Sequence, residues 1–501
     1  MTAVFNGQRI ARSAIPVLPW RELERAVTDG VAAGARVAAL FGMPAEGGLR
    51  ILVALASPGA GSFEVVAAPV DGSFPSLTPA CPQVHLFERE IAEQFGVTPE
   101  GHPGLRPVRF HRSWDPERDA WGRGREERIR PAVMPFFAVG GEEVHEVAVG
   151  PVHAGVIEPG HFRFNCHGER VFNLEIALGF QHRGVERSLL GGPDARTVHV
   201  METLAGDSSV AHATAYCQAF EALSGAQPPH RAHALRAVAL ELERIANHVG
   251  DLGALAGDVG FLPGASYCGR LRGDLLNLTA LLCGSRFGRG LVRPGGVRFD
   301  AEPDRVAALL DRLEATLADV RNAVELILGE PSVMGRFEGT GTVTAEQAVE
   351  VGMVGPAARA SGLERDARLE FPWGIYRFAQ LPVSTWPGGD VAARAWVRWL
   401  ETQRSAGFVR EQLSALPGGG CRADVGPLEP DALAISVVEG WRGEVCHVAI
   451  TGGDGRFARY KVVDPSFHNW SGLALALRGE QISDFPLCNK SFNLSYCGHD
   501  L

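Results

Sequence analysis

Two periods of apolar residues alternate along this chain, and the change from one to the other divides it. Residues 21–41 (RELERAVTDGVAAGARVAALF) carry apolar side chains at helical spacing, and the stretch from Val31 to Leu55 reads as an amphipathic helix followed by a strand. GLRILVALASP (48–58) is apolar almost throughout and SFEVVAAPV (62–70) nearly so, which predicts two buried strands. Val84, Phe87, Ile91 and Phe95 lie near helical spacing and predict a helix over about 84–95. The turn chemistry of GVTPEGHPGLRPV closes it. Residues 1–110 therefore read as a small N-terminal α/β module.

Both periods break at HRSWDPERDAWGRGREERIRPAV (111–133), which is polar, arginine-rich and poor in aliphatics. It predicts an exposed linker or partner-binding strap over 111–135. Residues 136–501 form a second unit. A short strand region runs to about 180, and from 185 to 330 the period is mainly helical. ALRAVALELERIANHVGDLGAL (234–255) is the clearest helix, with Leu240, Ile245, Val249 and Leu252 near one stripe. Another helix is expected over about 302–328. Thr344, with Gln347 three residues on, predicts a capping box opening a helix over 345–351. Residues 388–415 are helical again, and 431–463 alternate as strands. The fold class is α+β: the small module, then a mostly helical large domain with β-structure at its edges.

The 501 residues are too many for one ordinary core, and two or three domains follow. With 46% apolar residues the interior is large, and a net charge of −10 argues against a nucleic-acid partner. No apolar run approaches the roughly 18 residues that span a bilayer. The nearest, Val31 to Leu55, is broken by Arg36, Pro44, Glu46 and Arg50. Without a signal-peptide pattern, the chain is expected to be cytoplasmic, touching the inner face of the cell membrane through partner subunits. None of the nine cysteines forms a Cys-x-x-Cys pair, so an iron–sulfur cluster held by this chain alone is not expected. No Gly-rich fingerprint supports direct NADH binding, so any NADH link runs through a partner.

Several motifs have both a plain and a functional reading. Glu88, Arg89, Glu90 and Glu93 are most simply a solvated helix face; the alternative is docking to another subunit. Gly101-His102-Pro103 is a turn that His102 caps. RPGGV (293–297) is a tight turn, and its Arg293 either supports the turn or faces an inter-subunit cavity. Glu175 and Glu186 flank GFQHRG and could join His182 and Arg183 in a buried ionic network. In the 234–255 helix, Glu241, Arg244 and His248 are spaced for ion pairing. On an exposed face they are surface stabilisation; on a buried one, part of a proton path.

Two blocks carry a family resemblance. LFEREIAEQFGVTPEGHPGLRP (86–107) resembles the signature of the small hydrophilic complex I subunit that packs beside the quinone-site subunit. VGPVHAGVIEPGHFRF (149–164), GFQHRGVER (179–187), ELERIANHVGDLGALAGDVG (241–260), GRGLVRPGGV (288–297), VGPAARASGLERDAR (354–368) and DFPLCNKSFNLSYCGHDL (484–501) follow in order. They resemble the complex I quinone-site subunit and its relative, the large subunit of energy-converting nickel–iron hydrogenases of the formate hydrogenlyase type. The fusion of both modules points more to the hydrogenase side.

The resemblance implies a metal site closed by two Cys-x-x-Cys pairs. Laid on the C-terminal motif, the cysteine positions fall on Ser495 and Gly498, with Cys497 one residue off register. In ETLAGDSSVAHATAYCQAFEAL, from Glu202, they fall on Ala205 and Ser208, although His212 is present. Thiolates hold soft metals; serine, alanine and glycine do not. The implied function is a nickel-free large-subunit component of a membrane-associated complex, acting in electron-transfer coupling or as a structural scaffold. Its partners would be an iron–sulfur small subunit, which holds the clusters, and membrane-arm subunits. A second reading rebuilds the cavity for a quinone, with His153, His161 and Asp207 as its proton-handling groups. The complex I tyrosine position falls on Gly206, which counts against the complex I geometry. Asp207 also suits a helix cap. A third reading, nickel on Cys217, Cys497 and His212, lacks grouped sulfur.

Overall fold

The computed structural model describes residues 1–45, 47–155 and 157–501. Glu46, one of the charges that interrupt the 31–55 run, lies outside them. Three antiparallel strands, Arg36–Ala45, Gly48–Ser57 and Ser62–Val70, form a meander, and Thr2–Phe5 joins its far side. Helices Trp20–Ala32 and His85–Phe95 accompany this sheet. The helix expected over 21–41 stops at Ala32. Gly34 turns the backbone at φ +95°, and VAALF (37–41) belongs to the strand. All five of those residues are buried. A strand covered on both faces shows an unbroken apolar run, which helical spacing cannot be told from over a few residues.

A second sheet pairs Ala432–Gly440, Gly443–Thr451 and Phe457–Val463, as the alternation over 431–463 implied, and Gln8–Ala11 adds a fourth strand beside Ala432–Gly440. The first eleven residues thus serve two sheets, turning between them at Gly7 (φ +69°). One apolar core joins them, with Val37, Phe41 and Val53 from one and Ile435, Val448 and Val463 from the other. A third sheet, Val144–Val149, His161–His167 and Arg170–Ala177, packs through Phe162 and Phe164 on Trp470, Leu473 and Phe485.

The largest core belongs to the helices Ser209–Ser224, His230–Asp258, Leu262–Cys283, Pro303–Leu328 and Val391–Ser414. The His230–Asp258 helix is buried without a break from Ala234 to Val249. The capping box at Thr344 and Gln347 is present and opens the helix Ala345–Glu350. The RPGGV turn is also present: Gly295 and Gly296 take φ +85° and +149°, and a Cβ on either would lie within 2.3 Å of backbone at 421–423. Arg293 turns to Glu202 at 2.7 Å. His102 accepts from the Gly104 N–H at 3.0 Å and donates to the His85 carbonyl at 3.1 Å, so it does cap its turn.

Two expectations of surface charge fail for one reason. Glu241, Arg244 and His248 are fully buried. Glu241 pairs with Arg244 and Arg368, each at 3.0 Å, and accepts from the Tyr376 hydroxyl at 2.6 Å. His248 and Arg359 meet Glu401 at 2.8 and 2.7 Å. Glu88, Glu90 and Glu93 are buried as well. Glu88 accepts from the Leu77 N–H and the Ser76 and Thr78 hydroxyls. Glu93 accepts from the Arg109 N–H at 2.8 Å. Glu90 pairs with Arg109 and with Lys461, whose Nζ also lies 3.0 Å from Glu186. The helix does dock, but onto this chain's own second sheet. Spacing along one helix cannot disclose a partner hundreds of residues away.

Removing one member of a buried ion cluster strands the others without water. Lys461→Met leaves Glu90 and Glu186 with one fewer cation and is expected to cost about 3–5 kcal/mol. Arg270→Ala, which breaks exposed pairs with Asp274 and Asp319, should cost under about 1 kcal/mol. Thermal melts of the two variants against the parent chain check the contrast, and equal melting points would refute it.

Candidate functional site

The two stretches expected to face each other do meet. Ala205 to Ser208 is a turn closed by a Ser208 N–H to Ala205 carbonyl bond of 2.9 Å, opening the helix Ser209–Ser224. At the other end, Asn493 takes a left-handed conformation (φ +44°) and ends the helix Phe485–Phe492. Ser495 then caps the short helix Tyr496–Asp500, its Oγ accepting from the Gly498 N–H at 2.9 Å. Two arginines join these ends. Arg183 donates to the carbonyls of Leu204 (3.0 Å) and Cys497 (3.3 Å). Arg442 grips both carboxylate oxygens of Asp207, at 2.5 and 2.8 Å, and donates from Nε to the Asn493 carbonyl at 2.5 Å.

Asp464 stands between them. It is fully buried; Oδ1 accepts from the Ser466 N–H at 2.8 Å, and Oδ2 lies 3.0 Å from His212 Nε2. A Cβ on residue 498 would fall 2.6–2.9 Å from the Asp464 carboxylate. The space that a side chain at 498 would enter is therefore filled by Asp464. Burial raises its pKa, but the hydrogen bond from His212 and the charge of Arg442 outweigh this and hold the carboxyl below its usual range.

Behind Asp464 the bonds continue. His212 Nδ1 lies 3.1 Å from His447 Nε2, and His447 Nδ1 lies 2.9 Å from the Tyr460 hydroxyl. With both rings neutral and His212 donating to Asp464, the pattern closes in one way. Tyr460 O–H donates to His447, His447 donates to His212, and His212 donates to Asp464. Burial holds His447 well below the ordinary histidine value, so it remains neutral. Protonating His212 would reverse both inner bonds. Both nitrogens of His212 are committed, and neither faces Cys217 or Cys497.

This donor set does not fit nickel. Ala205 and Gly498 have no donor atom, and Ser495 and Ser208 offer hydroxyls. Cys497 lies 3.3 Å from Ser495 Oγ, and burial pushes its thiol up to about 11, so it is not a thiolate at neutral pH. Among the described residues no group of three or more histidine, cysteine, aspartate or glutamate side chains is arranged to hold a metal ion.

The three proton-handling candidates are not gathered into one constellation. His153 Nε2 donates to the Gly160 carbonyl at 2.8 Å, and His161 Nδ1 lies 3.4 Å from the Gly150 carbonyl. Each histidine ties its own loop. Burial lowers the pKa of His161, and its buried Nε2 has no partner among the described residues. A neutral ring bonded through Nδ1–H presents a lone pair at Nε2, so His161 can take a proton rather than donate a hydrogen bond. Asp207 is bound by Arg442, and no hydrogen bond joins it to either histidine among the described residues. Nor does it cap the helix that follows. The Val210 and Ala211 N–H groups donate to Glu243, at 2.7 and 3.3 Å. Around GFQHRG, Glu175 pairs with Arg106 at 2.5 Å, and Glu186 belongs to the Lys461 cluster. His182 donates to the Asp500 carbonyl, and the Gly179 and Gln181 N–H groups hold the Asp500 carboxylate. The expected ring of two glutamates, His182 and Arg183 does not form. Arg442, Asp464, His447 and Glu243 carry no signal in the sequence, since no spacing marks a lone residue brought in by tertiary packing.

Residues 258–432 match the family described as respiratory-chain NADH dehydrogenase, 49 Kd subunit, and residues 40–123 the one described as its 30 Kd subunit. The carbon monoxide-induced hydrogenase of Rhodospirillum rubrum is 32% identical over 352 residues, 70% of this chain and 97% of that protein. Hydrogenase-4 component G of Escherichia coli is 30% identical over 86% of this chain and 77% of its own length. An NADH-quinone oxidoreductase component of Solibacter usitatus is 28% identical over 67% of this chain and 91% of its own length.

Gly498→Ala is expected to cost about 1–3 kcal/mol through overpacking against Asp464. In the double variant with Asp464→Ala this penalty should shrink, giving a favourable coupling in a double-mutant cycle read by denaturant melts. Strict additivity would mean that the two side chains do not compete for one space. Glu243 supplies a pH test. Burial pushes its carboxyl up to about 8 from 4.5, although two N–H donors oppose this. The native state then keeps a proton that the unfolded chain releases, so this group's contribution to stability falls as pH rises from about 4.5 to 8. Glu243→Gln should flatten that fall, gaining stability over the parent at pH 8 relative to pH 5; melts across the range decide it.

Proposed function

The chain belongs to the large-subunit family shared by membrane-bound hydrogenases and NADH-quinone oxidoreductases, and on that premise we propose that it serves its complex without nickel, as the coupling core. The observation that carries this is Asp464. An acidic side chain paired to His212 takes up the room next to Gly498, so the site is a filled polar junction. The Arg442–Asp207 pair and the Asp464–His212 pair lie side by side in it, linking the 205–208 turn, the second sheet and the C-terminal tail. A change of charge beside this junction would shift the balance of both pairs. Because the same residues hold three elements together, such a shift is transmitted as movement. An iron–sulfur subunit supplies the electrons and a membrane arm receives the movement. Among the described residues no helix is long and apolar enough to cross a membrane, and attachment at the inner face of the cell membrane runs through those partners.

A second reading rests on His161. Its Nε2, without a partner among the described residues, is the group a hydroquinone would need as proton acceptor, and on this reading quinone chemistry takes place beside it.

Elemental analysis of the complex, purified through a tag on this chain, is expected to find nickel far below one atom per chain. Stoichiometric nickel would overturn the first reading. Titrating the same preparation with a short-chain quinol, with and without His161→Gln, tests the second: loss of binding in the variant favours it, and no binding to the parent complex excludes it.

A further inference from the structure

We propose that the end of the polar strap, residues 132–141, is a lid over His161. The strap changes character there: after its arginines, AVMPFFAVGG is apolar. The Phe136 ring lies 5.2 Å from the His161 ring, the one aromatic contact of that histidine among the described residues. Arg163, from the same strand as His161, holds its guanidinium 4.7 Å from the centre of the Phe136 ring. Beside this cover His161 is only 9% exposed, and its Nε2 is shut off from water without a hydrogen-bond partner among the described residues. A buried polar atom left unpaired is costly, and it marks a place where a group from outside is missing.

The cover is weakly held, which makes it a lid and not a wall. Among the described residues one hydrogen bond ties 132–140 to the body of the molecule, from the Phe137 N–H to Glu175 Oε2 at 2.8 Å. None of these side chains belongs to an apolar core, and Val133 and Phe137 are 70% and 53% exposed. Ala132 (φ +58°) and Gly141 (φ +152°) turn the backbone at the two ends. A segment with one exposed hydrogen bond and little apolar contact opens at a cost far below that of unfolding the chain.

Opening uncovers a ring nitrogen with a free lone pair. Burial lowers the pKa of His161, so the ring is neutral and the lone pair is available. Closed, the lid keeps water from that nitrogen; open, it admits a donor O–H. The use of the lid rests on the second reading above, in which His161 takes a proton from a hydroquinone; its opening does not.

Labelling of the full-length chain with diethylpyrocarbonate, read residue by residue by mass spectrometry, tests this. The reagent attacks a neutral imidazole nitrogen that it can reach. His161 is expected to label about tenfold more slowly than the exposed His145, the worth of the aromatic and cation–π contacts given up on opening. Phe136→Ala should bring the two rates together. It should leave the rate at His153 and the melting point unchanged, because Phe136 lies outside the cores. His161 labelling as fast as His145 in the parent chain overturns the proposal, and so does a His161 that never labels. An unchanged rate at His161 in Phe136→Ala overturns it too, as does an equal acceleration at His153, the sign of general loosening. The assay contains no quinone, so a failed quinol titration and a failed lid are read apart.

Discussion

The ammonium of Lys461 sits between the carboxylates of Glu90 and Glu186, out of reach of water, and much of the molecule follows from that placement. A buried ion is tolerated only where opposite charge and hydrogen bonds replace its hydration. Glu90 comes from the small N-terminal module, Glu186 from the start of the helical region and Lys461 from the second sheet, so satisfying one cation fixes three parts of the chain. The same rule recurs around Glu241 and Glu401, where Arg244, Arg359 and Arg368 converge from three segments. These clusters specify the arrangement more than they add net stability, because each charge has already lost its water.

At the junction, that rule explains how the polar groups are arranged. Residues 205 and 208 stand in a turn on one side, and 495 and 498 stand at the start of a short helix on the other. Two of the four side chains are alanine and glycine and the other two are serines, and the Ser495 hydroxyl caps its own helix. A cavity left there would have cost packing energy. Asp464 fills it, and because an unpaired carboxylate could not remain, His212 and then His447 and Tyr460 are drawn into line behind it. A row of hydrogen bonds holds the site together.

How much of this was legible in the sequence depends on how local each feature is. The Thr344 capping box, the Gly295–Gly296 turn and the strands over 48–70 and 431–463 are set by neighbouring residues, and they form where the sequence implies. The kinship of 202–212 with the C-terminal tail was legible because family motifs preserve order across long separations. What was not legible is anything decided by tertiary pairing. The helix of Glu88 to Glu93 reads as solvated because Lys461 is invisible from it. Asp207 reads as a cap because nothing nearby announces Arg442. The helix proposed over 21–41 ends early because a doubly covered strand and an apolar helix face look alike over five residues. His153, His161 and Asp207 are joined by analogy alone: each histidine bonds within its own loop, and Asp207 bonds to the distant Arg442.

The opening eleven residues carry a consequence of their own. One of their two short strands completes the first sheet and the other covers the border of the second, beside Ala432–Gly440. Severing the polar strap after the first module would therefore not release two finished halves. The larger fragment would be left with a raw sheet margin, its backbone donors and acceptors bare and ready to recruit a foreign strand. Having both modules in one polypeptide is, in this architecture, a guard against self-assembly as much as a convenience of delivery.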